Sequence, residues 1–140
     1  MPNSYHRRYL QAEVLSASPV KLVEILYRTA VESVAAARSH LRNRDIRQRS
    51  SSINKASEIV NQLMLTLDHS VGGEISRGLV ELYAYMQTRL IEANSQQVDP
   101  PLEEVERLLT VLLEAWRAAH AAIERIPDEP AYRAPVNSLS

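Results

Sequence analysis

The sequence predicts an all-α protein: an antiparallel up-down four-helix bundle with a short N-terminal helical segment and a flexible C-terminal tail. Three observations carry the prediction. Apolar residues recur at spacings of three and four over four separate stretches, as one face of a helix does. Only three glycines occur, two of them adjacent, too few for the turns of a sheet protein. The aromatics are six Tyr and one Trp with no Phe, so the core must be built from Leu, Ile, Val and Ala, which suits packed helices.

Size and charge narrow the class. A chain of 140 residues makes one domain with a real core. We place the bundle at 1–126, with helices at about 18–42, 47–68, 74–94 and 100–125, a docking segment at 1–15 and a tail at 127–140. A net charge of −1 gives no global field for nucleic acid or an anionic membrane. Cysteine is absent, which excludes disulfides and thiolate chemistry. MPNSYHRRYL lacks the apolar core of a secretory signal, and no apolar run reaches the length of a membrane span. The expected location is the cytoplasm.

Each element has its own signal. In residues 1–15, Tyr5, Tyr9, Leu10, Val14 and Leu15 can share a face of a short helix that docks on the bundle and can be displaced. Ser18-Pro19 is a helix start: the hydroxyl can accept from an orphan backbone N–H, and proline needs none at the first position. Val23, Leu26, Ala30, Val34, Ala37 and Leu41 then form the first seam, with Glu24 and Arg28 an i,i+4 pair. Arg38, Arg42, Arg44, Arg47 and Arg49 crowd near the first turn with His40 and one acid, Asp45. Cations complement a helix C-terminus, and no aromatic lies among them to stack a base, so no nucleic-acid site is expected.

The second helix carries Ile53, Ala56, Val60, Leu63 and Leu67, and the third carries Ile75, Leu79, Leu82, Met86, Leu90 and Ala93. Gly72-Gly73 lets the chain reverse between them. Gly78 sits inside the third helix at about 1 kcal/mol against Ala, which means close helix approach or simple tolerance. Asp99 can cap the fourth helix and Pro100-Pro101 can open it; Glu103, Glu104 and Glu106 follow in its first turns, where they oppose the helix dipole. Its seam is Leu102, Val105, Leu109, Leu112, Trp116, Ala119 and Ile123. Leu108, Val111, Leu113 and Ala115 lie off that seam, so the helix is apolar over more of its circumference than one core face needs. Leu108 and Val111 are therefore candidates for the wall of a partner-binding groove. From Ile126 the pattern stops, and IPDEPAYRAPVNSLS reads as a flexible tail.

Catalytic chemistry has little to work with. His6, His40, His69 and His120 are scattered, without HExxH or a Glu-x-x-His pair. There is no phosphate loop, and no base stands beside Ser50-Ser51-Ser52. We expect no enzyme, no cofactor and no metal. Surplus apolar helix surface on a small bundle points instead to a protein partner.

Several motifs are familiar in combination: Tyr5; Ser16-Ala17-Ser18-Pro19 with Leu22; Leu26-Tyr27 with Ala30; Gly72-Gly73-Glu74-Ile75; Leu79 to Met86, LVELYAYM; and Glu103-Glu104-Val105 with Trp116. In order and separation they resemble the FliS family, the flagellin-specific chaperones of bacterial flagellar export. The resemblance runs from Tyr5 to about Trp116. Where the family often has an acidic residue and a glycine after the Tyr27 position, this chain has Arg28 and Thr29. The resemblance implies a four-helix bundle that binds the disordered C-terminal segment of flagellin, prevents premature polymerisation and delivers it to the flagellar export gate. It implies further candidate partners among regulators of flagellar assembly, and a monomer or weak dimer without membrane insertion. Its motif positions are Tyr5, Ser18, Pro19, Leu26, Tyr27, Leu82, Tyr83 and Tyr85, joined by Tyr9 and Leu10 of the docking segment. The alternative is an adaptor bundle that dimerises through its surplus seam.

Overall fold

The computed structural model describes residues 2–67 and 72–124, with side chains over 6–67 and 72–121. The expected tail at 127–140, His69, Ile126 and the side chains of Tyr5 and Ile123 lie outside the described residues. Among the described residues five helices follow one another: α1 (Pro2–Ser16), α2 (Pro19–Arg42), α3 (Ile46–Leu65), α4 (Glu74–Gln96) and α5 (Pro100–Glu124). No strand occurs among the described residues.

Local chemistry sets the ends. Ser18 is extended (φ −68, ψ 164) and its Oγ accepts from the Lys21 N–H at 3.2 Å, with Pro19 at the first helical position. At the far end of α2 the Asp45 N–H reaches the His40 carbonyl at 2.9 Å and the Arg44 N–H reaches that of Leu41 at 3.1 Å. With Arg44 left-handed (φ 59), these two bonds make a Schellman turn. Asp45 then caps α3, its Oδ1 accepting from the Gln48 N–H at 3.2 Å. One residue thus closes one helix and opens the next. α3 ends at Leu65 rather than near 68; Thr66 follows as its C-cap, with Oγ1 donating to the Leu63 carbonyl at 2.7 Å. Gly73, at φ 52, adopts before α4 a conformation that a side chain would strain. Gly78 has open space where a Cβ would stand, so tolerance and not close approach explains it.

Short connections make consecutive helices antiparallel. α2 packs on α3 and α5, and α4 packs on the same two, so α2 to α5 close a ring around one core. At the end holding the α2–α3 and α4–α5 turns, that core is solid. Ala37, Ala56, Ala93, Leu102, Val105 and Leu109 are fully buried there. Small alanines on three helices let the backbones approach closely.

Charged pairs brace the same end. Arg38 of α2 grips Asp99 through Nε (2.8 Å) and Nη2 (2.9 Å), and gives Nη1 to Glu106 at 2.9 Å. The expected capping carboxylate of Asp99 is thus spent on Arg38, while its backbone carbonyl still accepts from the Glu103 N–H at 3.0 Å. Arg89 bonds Glu104 (2.6 Å) and Glu92 (2.8 Å), and the Tyr85 hydroxyl donates to Glu104 at 2.7 Å. Arg49 is buried, at 4% exposure. Two of the five crowded arginines are therefore structural, and Arg42, Arg44 and Arg47 stay exposed.

The anticipated Glu24–Arg28 pair is replaced by tertiary partners. Glu24 accepts from Lys21 (3.2 Å) and from Arg117 of α5 (2.9 Å), while Arg28 reaches Glu13 of α1 at 3.0 Å. That last pair ties α1 to α2 outside the ring. Tyr9 and Leu15 of α1 stand 71% and 87% exposed. No helix among the described residues is long and apolar enough to cross a membrane.

Candidate functional site

At the end opposite the solid core, the four seams diverge and leave an apolar groove of about 590 Å³. The seam of α5 shows how. Leu102, Val105 and Leu109 are fully buried, but Leu112 and Trp116 are half-exposed and Ala119 is exposed. The periodicity continues while the neighbours withdraw. α3 has already ended, so Thr66 and Leu67 form a rim instead of a filled layer. Val23 and Tyr27 of α2 make one wall; Ile75, Leu79 and Tyr83 of α4 make another; Leu112, Ala115, Trp116 and Ala119 of α5 make the third.

The floor is a pair of tyrosines. Tyr27 and Tyr83 are 4% and 1% exposed, and their hydroxyl oxygens lie 2.6 Å apart, joining α2 to α4 across the bundle. Burial, partly offset by the bond from Tyr83, leaves the Tyr27 hydroxyl above its ordinary range. Burial and the bond to Tyr27 push Tyr83 up further. Both are neutral phenols at physiological pH.

Trp116 organises the rim. Its ring lies 6.3 Å from that of Tyr27 and 4.3 Å from that of His120. Its Nε1–H donates to the Val20 carbonyl at 3.1 Å, which pins the start of α2 to α5. His120 meets the Trp116 carbonyl through Nδ1 at 3.0 Å, and since a carbonyl only accepts, Nδ1 carries the proton. Beside the rim, burial works against the charge of Glu24, but its bonds to Arg117 and Lys21 outweigh it and hold that carboxyl below the ordinary range. No Lys, Arg, Asp or Glu lines the groove among the described residues. Such a cleft can shelter apolar side chains.

Comparison with known proteins gives the family. The family model described as "Flagellar protein FliS" matches residues 1–123. The chain belongs to the FliS family. It is 38% identical over 115 residues to the flagellar secretion chaperone FliS of Salmonella typhimurium, covering 81% of this chain and 85% of that protein. Over 118 residues it is 35% identical to the FliS of Campylobacter jejuni, covering 84% and 92%. To the flagellar secretion chaperone FliSB of Pseudomonas aeruginosa it is 34% identical over 112 residues, covering 80% and 89%. Chaperones, not enzymes, are what these FliS relatives are named.

The FliS-like motif positions scatter over the molecule. Tyr27 and Tyr83 meet at the groove floor. Leu26 and Leu82 are half-buried and pack against the core. Ser18 and Pro19 build the start of α2. Tyr85 is half-exposed and holds Glu104 on another face. Tyr9 and Leu10 line a smaller cleft of about 240 Å³ with Glu13 and Arg28. Leu108 packs against the core and Val111 is 56% exposed; both stand outside the groove lining. Sequence reasoning assigned Val23, Leu79, Leu112 and Trp116 to a filled core and so missed them as groove walls. One available signal was the lone Trp in a seam flanked by Ala115 and Ala119, too small to close the space around it.

Proposed function

We propose that this chain is a cytosolic export chaperone for flagellin, and that its groove receives the C-terminal segment of flagellin as an amphipathic helix. The observation that carries the reading is the open end of the core, where α2, α4 and α5 continue their apolar seams past the point at which they bury one another. A disordered segment that folds there buries its own apolar stripe at i, i+3, i+4 and i+7. Four such anchors, at roughly 1.5–3 kcal/mol gross each, exceed an ordering cost of about 2–5 kcal/mol. The surplus is modest, which suits reversible delivery. While held, the stripe is unavailable to a second flagellin, so polymerisation is blocked without catalysis.

Membership of the FliS family supports delivery of the client to the flagellar export gate, with regulators of flagellar assembly as further partners. The N-terminal segment has the features of a displaceable flap. It is helical and exposed, and among the described pairs its bond to the ring is the Glu13–Arg28 contact. Calorimetric titration with the last ~40 residues of the cognate flagellin, a length that allows coupled folding, tests the reading. One-to-one binding near micromolar, a negative heat-capacity change and a gain in helicity are expected. No heat and no helicity gain from a folded monomer would reject it. A tight dimer that buries the groove would put the adaptor reading in its place.

A further inference from the structure

We propose that Arg125–Ser140 of this chain is an internal competitor for the groove, seated there when no client is bound and displaced when one arrives. The competition rests on the client reading above; the seating itself does not. The segment lies outside the described residues, but the place it departs from is described. α5 presents Leu112, Ala115, Trp116 and Ala119 to the groove in turn, with His120 at the edge, and reaches Glu124. The backbone therefore leaves the bundle about one helical turn past the groove. The other end of the chain does not fill it: no described side chain of α1 lines the groove, and those of Tyr9 and Glu13 line a separate cleft with Arg28. The FliS model matches residues 1–123, so Arg125–Ser140 falls outside the matched pattern.

Reach and chemistry both fit. An extended chain advances about 3.3 Å per residue and a helix about 1.5 Å. Asp128 can thus span about 13 Å from Glu124, and Arg117 lies only about 10 Å back along α5. Lys21 and Arg117 are half-exposed and share the single carboxylate of Glu24, in a cleft that adjoins the groove through Trp116 and His120. Asp128 and Glu129 supply the negative charge that this pair of cations lacks. Tyr132 can span about 26 Å, beyond the roughly 18 Å back to Leu112. Tyr132, Val136 and Leu139 can therefore lie on the apolar walls, and Arg133 is the only charged side chain after Glu129. Pro127, Pro130 and Pro135 pre-set an extended backbone, so less freedom is lost on seating. The tether gives the segment an effective concentration of about 1 mM at the groove. An intrinsic dissociation constant of about 0.1 mM then closes roughly nine-tenths of the grooves and weakens the client about tenfold.

Trp116 is the lone tryptophan and stands on the groove rim, so its fluorescence reads the seating without any client. The test compares the full chain with Tyr132→Ser/Val136→Ser/Leu139→Ser, which alters nothing within the described bundle. In the variant, Trp116 emission should move to the red and acrylamide should quench it more, and a peptide of residues 125–140 added at millimolar concentration should reverse both. The ~40-residue flagellin peptide should bind the variant about tenfold more tightly than the parent. Identical emission and quenching in the two chains overturn the inference. A Trp116 signal that changes with protein concentration, equally in both chains, would place a second copy in the groove and overturn it as well. A Trp116 difference with equal flagellin-peptide affinity for both chains overturns the competition. A Trp116 difference with no flagellin-peptide binding to either chain supports the seating and rejects the client reading.

Discussion

Ala115→Glu tests the groove most directly. Ala115 is exposed and lines the groove on α5, so the substitution removes no buried contact, and Glu is a good helix former. Helicity and melting temperature of the free chain should stay close to those of the parent, within about 0.5 kcal/mol. A bound helix, however, would cover the new carboxylate. No Lys or Arg of the described lining can neutralise it. The least costly escape is protonation. From a reference value near 4.3 that takes about 3.7 kcal/mol at pH 7, or roughly a 500-fold loss of affinity. The penalty shrinks by one decade per pH unit, to about 1 kcal/mol at pH 5. Calorimetric titration with the flagellin peptide at pH 7 and pH 5 reads both numbers, with Val111→Glu as the control outside the groove lining. Equal affinity for parent and Ala115→Glu would show that the client does not cover this wall. A loss of the same size at both pH values would show that bulk, not charge, is responsible. A loss in Val111→Glu as large as in Ala115→Glu would move the client to the other face of α5.

Three further outcomes follow from the fold. Gly78→Ala should raise stability by about 0.5–1 kcal/mol in urea titrations, since Gly78 is mid-helix with open space around it; destabilisation would mean that the site is covered. Tyr27 and Tyr83 have folded-state values raised above the unfolded value near 10, so their contribution is whole below about pH 10 and lost as pH rises past it; their phenolate absorbance should appear together with loss of helicity, and early titration of all six tyrosines in folded protein would refute the buried pair. Arg49→Met should leave stability unchanged or higher, because among the described residues the buried Arg49 has no partner for Nε and only long bonds (3.4 and 3.5 Å) to Asn94; a fall of more than about 2 kcal/mol in the same titration would reveal a stronger partnership.

The helices were legible because their signals are local. Ser18-Pro19 is a cap that needs no tertiary context, and seams at three-and-four spacing cannot be read as strands. The groove was harder, because periodicity records which face is apolar and not how far along the neighbours follow. Leu109 and Leu112 look alike in the seam, yet one is fully buried and the other half-exposed. That difference goes with the end of α3 at Leu65, a tertiary boundary that the α5 seam does not record. Ion pairs misled for the same reason. Arg28 had a good local partner in Glu24, but Arg117 and Lys21 took that carboxylate from other positions. The tyrosine pair joins residues 56 apart, and nothing in either local sequence announces the other.

An unfilled end has a thermodynamic consequence. The closed half of the bundle is braced by fully buried Leu and Ala and by the Arg38–Asp99–Glu106 cluster, whereas the open half leaves Leu112, Trp116 and Ala119 short of neighbours. Local opening should therefore begin at the groove end, in the last turns of α5 and the exit from α3. A client helix bound there would supply the missing layer, so that binding and folding of this end would be one event. Stabilisation by a ligand reaches about 2.7 kcal/mol when it is present at a hundred times its dissociation constant. That gain belongs mainly to the groove end, because the solid end is already complete. On the proposed reading, the same vacancy that lowers the stability of the free chain would let a disordered segment find a core there, and filling it by mutation would strengthen the bundle while closing the site.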